Sequence, residues 1–549
     1  MSGPFNTGPG ATDIFTNRCV VGLAIDPQND NNVFAGTVTG IQGLYGVLPG
    51  SLPRRGLFRS TNFMGGSPTW QKLAVLGEDV TTAASDYRVT AIVVEPGNAN
   101  NLICAIADPA GGPNAGIYRS TNGLAANPTF AKVFDLSDAD NASFAPVRMA
   151  IQKNTGTGAV TVVACAGYLS DTATTTFNQG RVYKSTDGGA TWNELPGARG
   201  FAGGQGFYNL GIDIDQQNPN NIYVVGTLSA QSQAGQQDVG DNGTFIFTHD
   251  GGTTWGSNPY GLHVDSHMVG VAPSNPQIIY TGNDGGVWRS NDTGANWIDM
   301  NTSTYSATQF QSVALHPTDR YFSIGGTQDN GTEFLMPSGK WKRADYGDGG
   351  FALIDQTATS TENVTMYHTY YNVKTVLIGF ARVKKASCAM ESQWAFRGAA
   401  VGVLPGGGLP IPLPTGQVCD GSNGQAANGI SLADDTNFYA PMALGPTVLG
   451  SQGNVLYFGT DKLYRSIDQG DNMLAVSAVL EPGGAAINPV DIKPPGAPPV
   501  PPANTPISAI GISPQDDNVR LVGTNTGHLY ATTVGGALTP VSAAGMPAD

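Results

Sequence analysis

The feature that most constrains how this chain can fold is a unit that it repeats. An apolar alternating run, a turn rich in Pro, Asn and Asp, and a second apolar run closing on Gly-Thr or a near variant recur about nine times in 549 residues. Copies are residues 20–37 (VVGLAIDPQNDNNVFAGT), 89–108, 208–227 (YNLGIDIDQQNPNNIYVVGT), 310–327 and 507–524, with others starting at His267 and Gly350, a looser one from Val147 and a degenerate one around Met442. Alternation at period two marks half-buried strands, and the turn residues mark hairpins. Equivalent strands recur at roughly 40 to 90 residues, the spacing of four-stranded propeller blades with variable loops. A small sheet that is apolar on both faces can bury them only against neighbouring copies of itself, so the units must stack. The expected fold is therefore all-β, a single large β-propeller of about nine four-stranded blades, with eight to ten compatible.

Residues 1–19 read as an N-terminal extension and 20–549 as the propeller. Two stretches break the repeat. Residues 379–440 include GVLPGGGLPIPLPTGQVCDGSNGQ, too rich in Gly and Pro for strands, and are expected to form an ordered loop or lid. Residues 494–506 (PPGAPPVPPANTP) read as an extended polyproline connector.

Composition narrows the function classes. A net charge of -15 argues against nucleic acid, because a phosphate-binding surface needs clustered Lys and Arg. None of the five cysteines forms a CxxC pair, which excludes a zinc ribbon. Cys388 and Cys419 flank the Gly/Pro-rich segment and are candidates for a disulfide, the free state being equally compatible. Cys104 and Cys165 sit in apolar runs and read as small core residues. No run approaches eighteen apolar residues, so no membrane span is expected, and the N-terminal stretch lacks the pattern of a signal peptide. The turn-rich, weakly charged composition nevertheless suits an extracellular or cell-surface protein.

A second signature follows the second apolar run. Ser185-Thr186-Asp187-Gly188-Gly189-Ala190-Thr191-Trp192 has the form S-x-D-x-G-x-T-W, and residues 248–255 (THDGGTTW) and 290–297 (SNDTGANW) are close copies. Ser466 to Gly470 is a partial copy, while GLFRSTN at 56–62 and GIYRSTN at 116–122 are worn ones. With these motifs the chain resembles the Asp-box, or BNR-repeat, propellers, a group that includes sialidases, xyloglucanases and sortilin-type receptors. The resemblance implies a propeller over most of the chain, with the Asp boxes on third-to-fourth-strand hairpins away from the functional face, where their aspartates are structural. It does not fix an activity, because this fold carries hydrolases, lyases, receptors and assembly factors. The arginine triad and Tyr/Glu pair of sialidases have no counterpart here, since most arginines, such as Arg59, Arg119, Arg289 and Arg465, occupy the repeated aromatic-Arg-Ser position. Xyloglucanases place an Asp after the first blade's second strand, where this chain has Gly36 to Gly40 (GTVTG). Sortilin-type receptors carry a Cys-rich appendage that this chain does not match.

Propeller topology puts the start of each inner strand and the loop between second and third strands on one face. His263, Asp265 and His267 precede the fifth inner strand, and Asp284 lies in the fifth blade's second-to-third loop. Gln328, Asp329 and Asn330 occupy the equivalent loop of the sixth blade, and Asp345 and Asp348 lead into the seventh. Read as a strand, H-x-D-x-H puts both imidazoles and the carboxylate on one side. His263, Asp265, His267, Asp284 and Asp329 are thus candidate ligands for calcium or another divalent metal, with no organic cofactor expected. His263, Asp265, His267 and Asp348 are candidate acid/base groups for a glycoside hydrolase or polysaccharide lyase. The same Asp-Gly sequences also suit plain tight turns. Two function classes follow: a glycan-binding or glycan-cleaving protein using this face, or a non-catalytic propeller that contacts extracellular protein partners.

Overall fold

The computed structural model describes residues 14–15, 18–38, 53–65, 67–107, 113–136, 146–167, 180–202, 205–206, 208–227, 244–258, 260–302, 305, 307–336, 338–401, 413–483 and 504–541. Among them the strands form nine sheets, each with its strands hydrogen-bonded in chain order. The first is typical: Cys19–Ile25, Val33–Val38, Leu57–Ser60 and Gln71–Leu73, all antiparallel. The fold class expected from the repeats is borne out, with nine blade-like meanders. The chain divides into two compact units, one holding the first five sheets and the other the last four. Most of the connector expected at 494–506, and most of the extension expected at 1–19, lie outside the described residues. Among the described residues no helix is long and apolar enough to cross a membrane.

Burial follows from the pattern of the repeat. The second strand of a blade has a hydrogen-bonded neighbour on each side, and where side chains also pack on both faces it is buried along its whole length. Val160–Ala166, Ile222–Gly226 and Leu456–Gly459 show this. The cores lie between successive sheets. In the first unit Val163, Cys165 and Val182 of the third sheet meet Ile212, Ile214 and Val224 of the fourth. In the second unit Tyr367, Ile378 and Phe380 of the seventh meet Met442, Leu456 and Phe458 of the eighth. Cys104 and Cys165 are buried core thiols, as expected, and burial pushes their proton affinities up.

Polar side chains brace neighbouring inner strands within each unit. Asp213 Oδ2 accepts the Val271 N–H at 2.8 Å, and Ser312 Oγ accepts the Ala352 N–H at 2.6 Å. A bulge recurs near the start of the inner strand in the first, second, fifth, sixth and ninth sheets. Such insertions re-aim a side chain and locally end pairing.

The S-x-D-x-G turns are internal fasteners. Asp187 Oδ1 accepts from Ser185 Oγ at 2.7 Å and from the Ala190 and Thr191 N–H groups at 2.9 Å, while Trp192 Nε1 donates to Gly189 O at 3.1 Å. Burial disfavours the Asp187 charge, but hydrogen bonds led by Thr191 outweigh it and hold the carboxyl down to about 2. In the worn copies Asn62 and Asn122 take over the role, each accepting from a Ser hydroxyl and a Thr amide.

The seventh sheet departs from the expected plan. Leu377–Val383 and Ala395–Ala400 are its third and fourth strands, and Gln425–Ala426 adds a fifth in parallel. The start of the segment read as a loop is therefore sheet. Phe380, Ala381, Val383 and Phe396 are all buried, and their packing outweighs the local Gly content. Residues 402–412, the most Gly/Pro-rich part, lie outside the described residues. Cys388 and Cys419 form a disulfide with Cα atoms 5.5 Å apart.

Two outcomes follow. Replacing both Cys388 and Cys419 by Ser should cost about 2–4 kcal/mol of stability, read by denaturant unfolding with and without reductant; an unchanged midpoint would place the bond outside the stabilising framework. Glu333 stands opposite Arg343 in the sixth sheet, but Arg343 Nε donates to Glu391 at 2.6 Å. Burial, with Glu391 adding to it and Arg343 opposing, pushes the Glu333 carboxyl up to about 7. The folded state then holds a proton that the unfolded chain releases near pH 4.3. Stability should fall as pH rises through this window to about 7, and Glu333→Gln should flatten that fall in thermal melts.

Candidate functional site

The expected H-x-D-x-H segment is not a continuous strand. The fifth inner strand begins only at Ser266, and Asp265 has φ 62°, a left-handed backbone that ends any alternation. The pairing register then shifts between Ser266 and Met268, leaving His267 as the bulged residue. The reading that put His263, Asp265 and His267 on one strand side is thus corrected, because a turn and a bulge intervene. The bulge instead brings His267 to the loop that follows the second strand, where its Nε2 meets Asp284 Oδ1 at 2.5 Å.

Around that pair the fourth sheet contributes residues that the sequence did not single out. Asn209 is fully buried, and its Nδ2 donates to Asp265 Oδ1 at 2.7 Å and to Gln205 Oε1 at 2.6 Å. Thr227 Oγ1 donates to the same Asp265 oxygen at 2.8 Å. Tyr208 sets its ring edge-on to His267, with centroids 4.4 Å apart. Gly211 lets the two inner strands approach, since a Cβ there would lie 2.9 Å from Met268 Cα. Because these partners come from the neighbouring blade, no spacing within the H-x-D-x-H segment signals them.

His263 plays a different part. It is buried, its Nδ1 lies 3.1 Å from Val264 O, and its carbonyl accepts from Asn283 Nδ2 at 3.1 Å. A Cβ on Gly285 would come within 2.6 Å of the His263 ring, so that glycine in the D-G-G turn makes room for the imidazole. His263 is a packing element behind the site. His267 and Asp284 remain partly open, at 29% and 12% side-chain exposure.

Electrostatics single out Asp265. Burial pushes its proton affinity up; the Thr227 hydrogen bond opposes that, and the Asp284 charge adds to it. The orientation of the Asn209 amide follows from its partners, because both are acceptors and must face the NH2 group. Its Oδ1 is then left buried without a donor, as is the Ser266 hydroxyl.

Asp329 and Asp348 come together in the second unit, where Asp348 Oδ1 accepts the Asp329 N–H at 3.1 Å. Asp345 does not join them. It is buried with His368, whose Nε2 lies 3.0 Å away, and with the Tyr370 hydroxyl. Among the described residues no three His, Cys, Asp or Glu side chains are grouped to hold a metal ion. His263, Asp265, His267 and Asp284 therefore do not form the expected calcium or divalent-metal shell, since His263 is packed away and Asp284 is engaged by His267; the expected fifth ligand, Asp329, stands against Asp348.

The chain is similar to solved propeller proteins. It shows 15% identity to the GH74 enzyme of Niastella koreensis, covering 95% of this chain and 82% of that one at a TM-score of 0.37. The GH74 xyloglucanase of Xanthomonas campestris gives 12% identity over 94% and 90% at 0.22. YCF48 bound to D1 peptide gives 12% identity over 65% and 92% at 0.31. No family model and no curated protein matches the chain. At such identities the likeness says nothing of substrate or activity.

Asp265→Asn tests whether the carboxylate is there for stability. The amide keeps an acceptor for Asn209 and Thr227, suits a left-handed backbone, and removes the charge beside Asp284. A raised folded-state pKa favours folding below the ordinary carboxylate range and loses that contribution as pH rises. The variant should therefore melt at or above the wild-type temperature at pH 8, with a smaller difference at pH 4; a clear drop at pH 8 would mark Asp265 as a structural brace.

Proposed function

We propose that the first unit carries a glycan-binding site formed by Asp265, the His267–Asp284 pair, Asn209 and Tyr208. The observation that carries this reading is Asp265 itself. It combines a left-handed backbone, burial and a nearby like charge, three features that cost stability and that a turn could avoid with Asn or Gly. Costs of this kind persist at sites selected for something other than stability. The surrounding groups suit sugar hydroxyls, each of which donates and accepts: carboxylate oxygens, an imidazole held by a carboxylate, an amide oxygen without a donor and an aromatic edge.

Binding, rather than cleavage, is the activity this arrangement supports. Most glycoside hydrolases use two carboxyl groups free to act on opposite sides of the linkage. Here Asp284 is committed to His267. The proposed setting is extracellular or at the cell surface, which the Cys388–Cys419 disulfide favours, since such bonds persist in oxidising compartments.

The test is a glycan-array screen of the purified protein followed by calorimetry on the best hit. Asp265→Asn should weaken that binding by about 10- to 100-fold, the cost of losing a charged hydrogen-bond acceptor, with the fold intact. Unchanged affinity in a folded variant, or no glycan bound by the wild type, would turn the reading toward a propeller that only contacts proteins.

A further inference from the structure

The second unit holds a separate constellation that the glycan site does not use. The Asp348-Gly349-Gly350 segment is fixed from both sides, Gly349 N–H donating to Thr327 O at 3.0 Å and Gly350 N–H to Thr369 O at 3.1 Å. Gly350 is required by packing, because a Cβ there would lie 2.6 Å from the Tyr439 ring. Two residues beyond Thr369, Tyr371 stacks on Phe438 with centroids 5.5 Å apart and planes 18° apart, and Phe438 meets Tyr439 edge-on at 4.9 Å. The Asn372 N–H donates to Phe438 O at 2.7 Å, tying the two aromatic segments together. One carboxylate and three aromatic rings are thus set on a braced backbone.

Asp348 carries its charge without a Lys or Arg beside it. In this unit Asp434 is matched by Lys462, Asp435 by Lys374, Asp471 by Arg382 and Arg397, and Asp517 by Arg465 and Arg520, whereas the buried Asp355 and Asp461 are held by several hydrogen bonds instead. Among the described residues no Lys or Arg forms an ion pair with Asp348, whose side chain accepts from one backbone N–H. Its charge reaches the phenols of Tyr371 and Tyr439, which burial and Asp348 together push upward, with Asp329 adding to Tyr439. The Tyr439 hydroxyl is buried without a hydrogen-bond partner. Tyr371 and Phe438 are half-buried.

We infer that Asp348 with the Tyr371–Phe438 stack is a receptor for an arginine or lysine side chain presented by a protein partner. A carboxylate without a Lys or Arg partner, whose charge reaches neighbouring aromatic side chains, is complementary to an organic cation, which gains both the ion pair and the cation–π attraction. A flat guanidinium also extends an existing ring stack. Phosphate, sulfate and acidic peptides are disfavoured by the same charge. The site is independent of the glycan reading, because it lies in the other unit and shares no residue with Asp265, His267 or Asp284.

Saturation-transfer NMR on the full chain, with the capped peptide Ac-Gly-Arg-Gly-Arg-Gly-NH2 as probe, tests this. The citrulline-for-arginine peptide and cellotetraose serve as uncharged controls. The arginine peptide should bind, more weakly as salt rises, and the citrulline peptide should bind at least about tenfold less well. Asp348→Asn, which keeps an acceptor for the Asp329 N–H, and Phe438→Leu should each weaken binding about tenfold with unchanged melting temperature, whereas Asp265→Asn should not. Equal binding of the citrulline peptide, no effect of Asp348→Asn in a folded protein, or cellotetraose binding lost with Asp348→Asn would overturn the proposal.

Discussion

The structure depends on burial of sheets that are apolar on both faces. A four-stranded meander such as Val147–Lys153, Val160–Ala166, Arg181–Ser185 and Asn193–Glu194 has no layer of helices to cover it, yet its second strand is buried from end to end. At about 25 cal/mol per Å² of apolar surface removed from water, leaving either face open costs more than a single blade can recover from its short hydrogen-bonded ladders. Stacking within each unit is therefore a condition for the strands to exist. Side-chain devices such as the Asp213 brace and the Asp187 turn adjust the spacing of sheets already committed to stack.

This is why the fold was legible in the sequence and the site only in part. A period-two alternation repeated nine times is a statement about burial, and burial determined the sheets. The turn motifs were legible for the same reason: Ser185, Asp187 and Thr191 bond to one another within seven residues, so their partners are already in the string. His267 with Asp284 crosses one hairpin and was within reach of topology. Asp265 with Asn209 and Thr227 crosses between sheets and leaves no trace in the spacing of its own segment. The bulge at His267 was not legible, because it depends on the register against the next strand rather than on the residues of the segment itself. The strands at residues 377–400 were missed for a related reason, since Gly379 and Gly398 read as loop residues. They face each other across the ladder, where neighbouring Phe380 and Phe396 supply the buried surface.

Carboxylate–cation pairs occur at both ends of the blades, and the carboxylates that have none bear on what the protein can hold. In an up-and-down meander the first-to-second and third-to-fourth turns share one end, while the inner-strand start and the second-to-third loop share the other. At the first end, acids meet cations of a neighbouring blade: Asp517 with Arg465, and Asp471 with Arg382 and Arg397. Those pairs bond blade to blade. At the other end Asp86 pairs with Arg55, Asp434 with Lys462 and Asp435 with Lys374, whereas among the described residues Asp265 and Asp348 are ion-paired to no Lys or Arg. Charge balanced by a neighbour is spent on assembly, whereas charge balanced only by dipoles, an imidazole or phenols keeps its field for a ligand. His267 and Asp348, in separate units and on unrelated local structures, both fall at inner-strand starts. It is the end of the blade where backbone pairing lapses and a side chain can turn away from the stack.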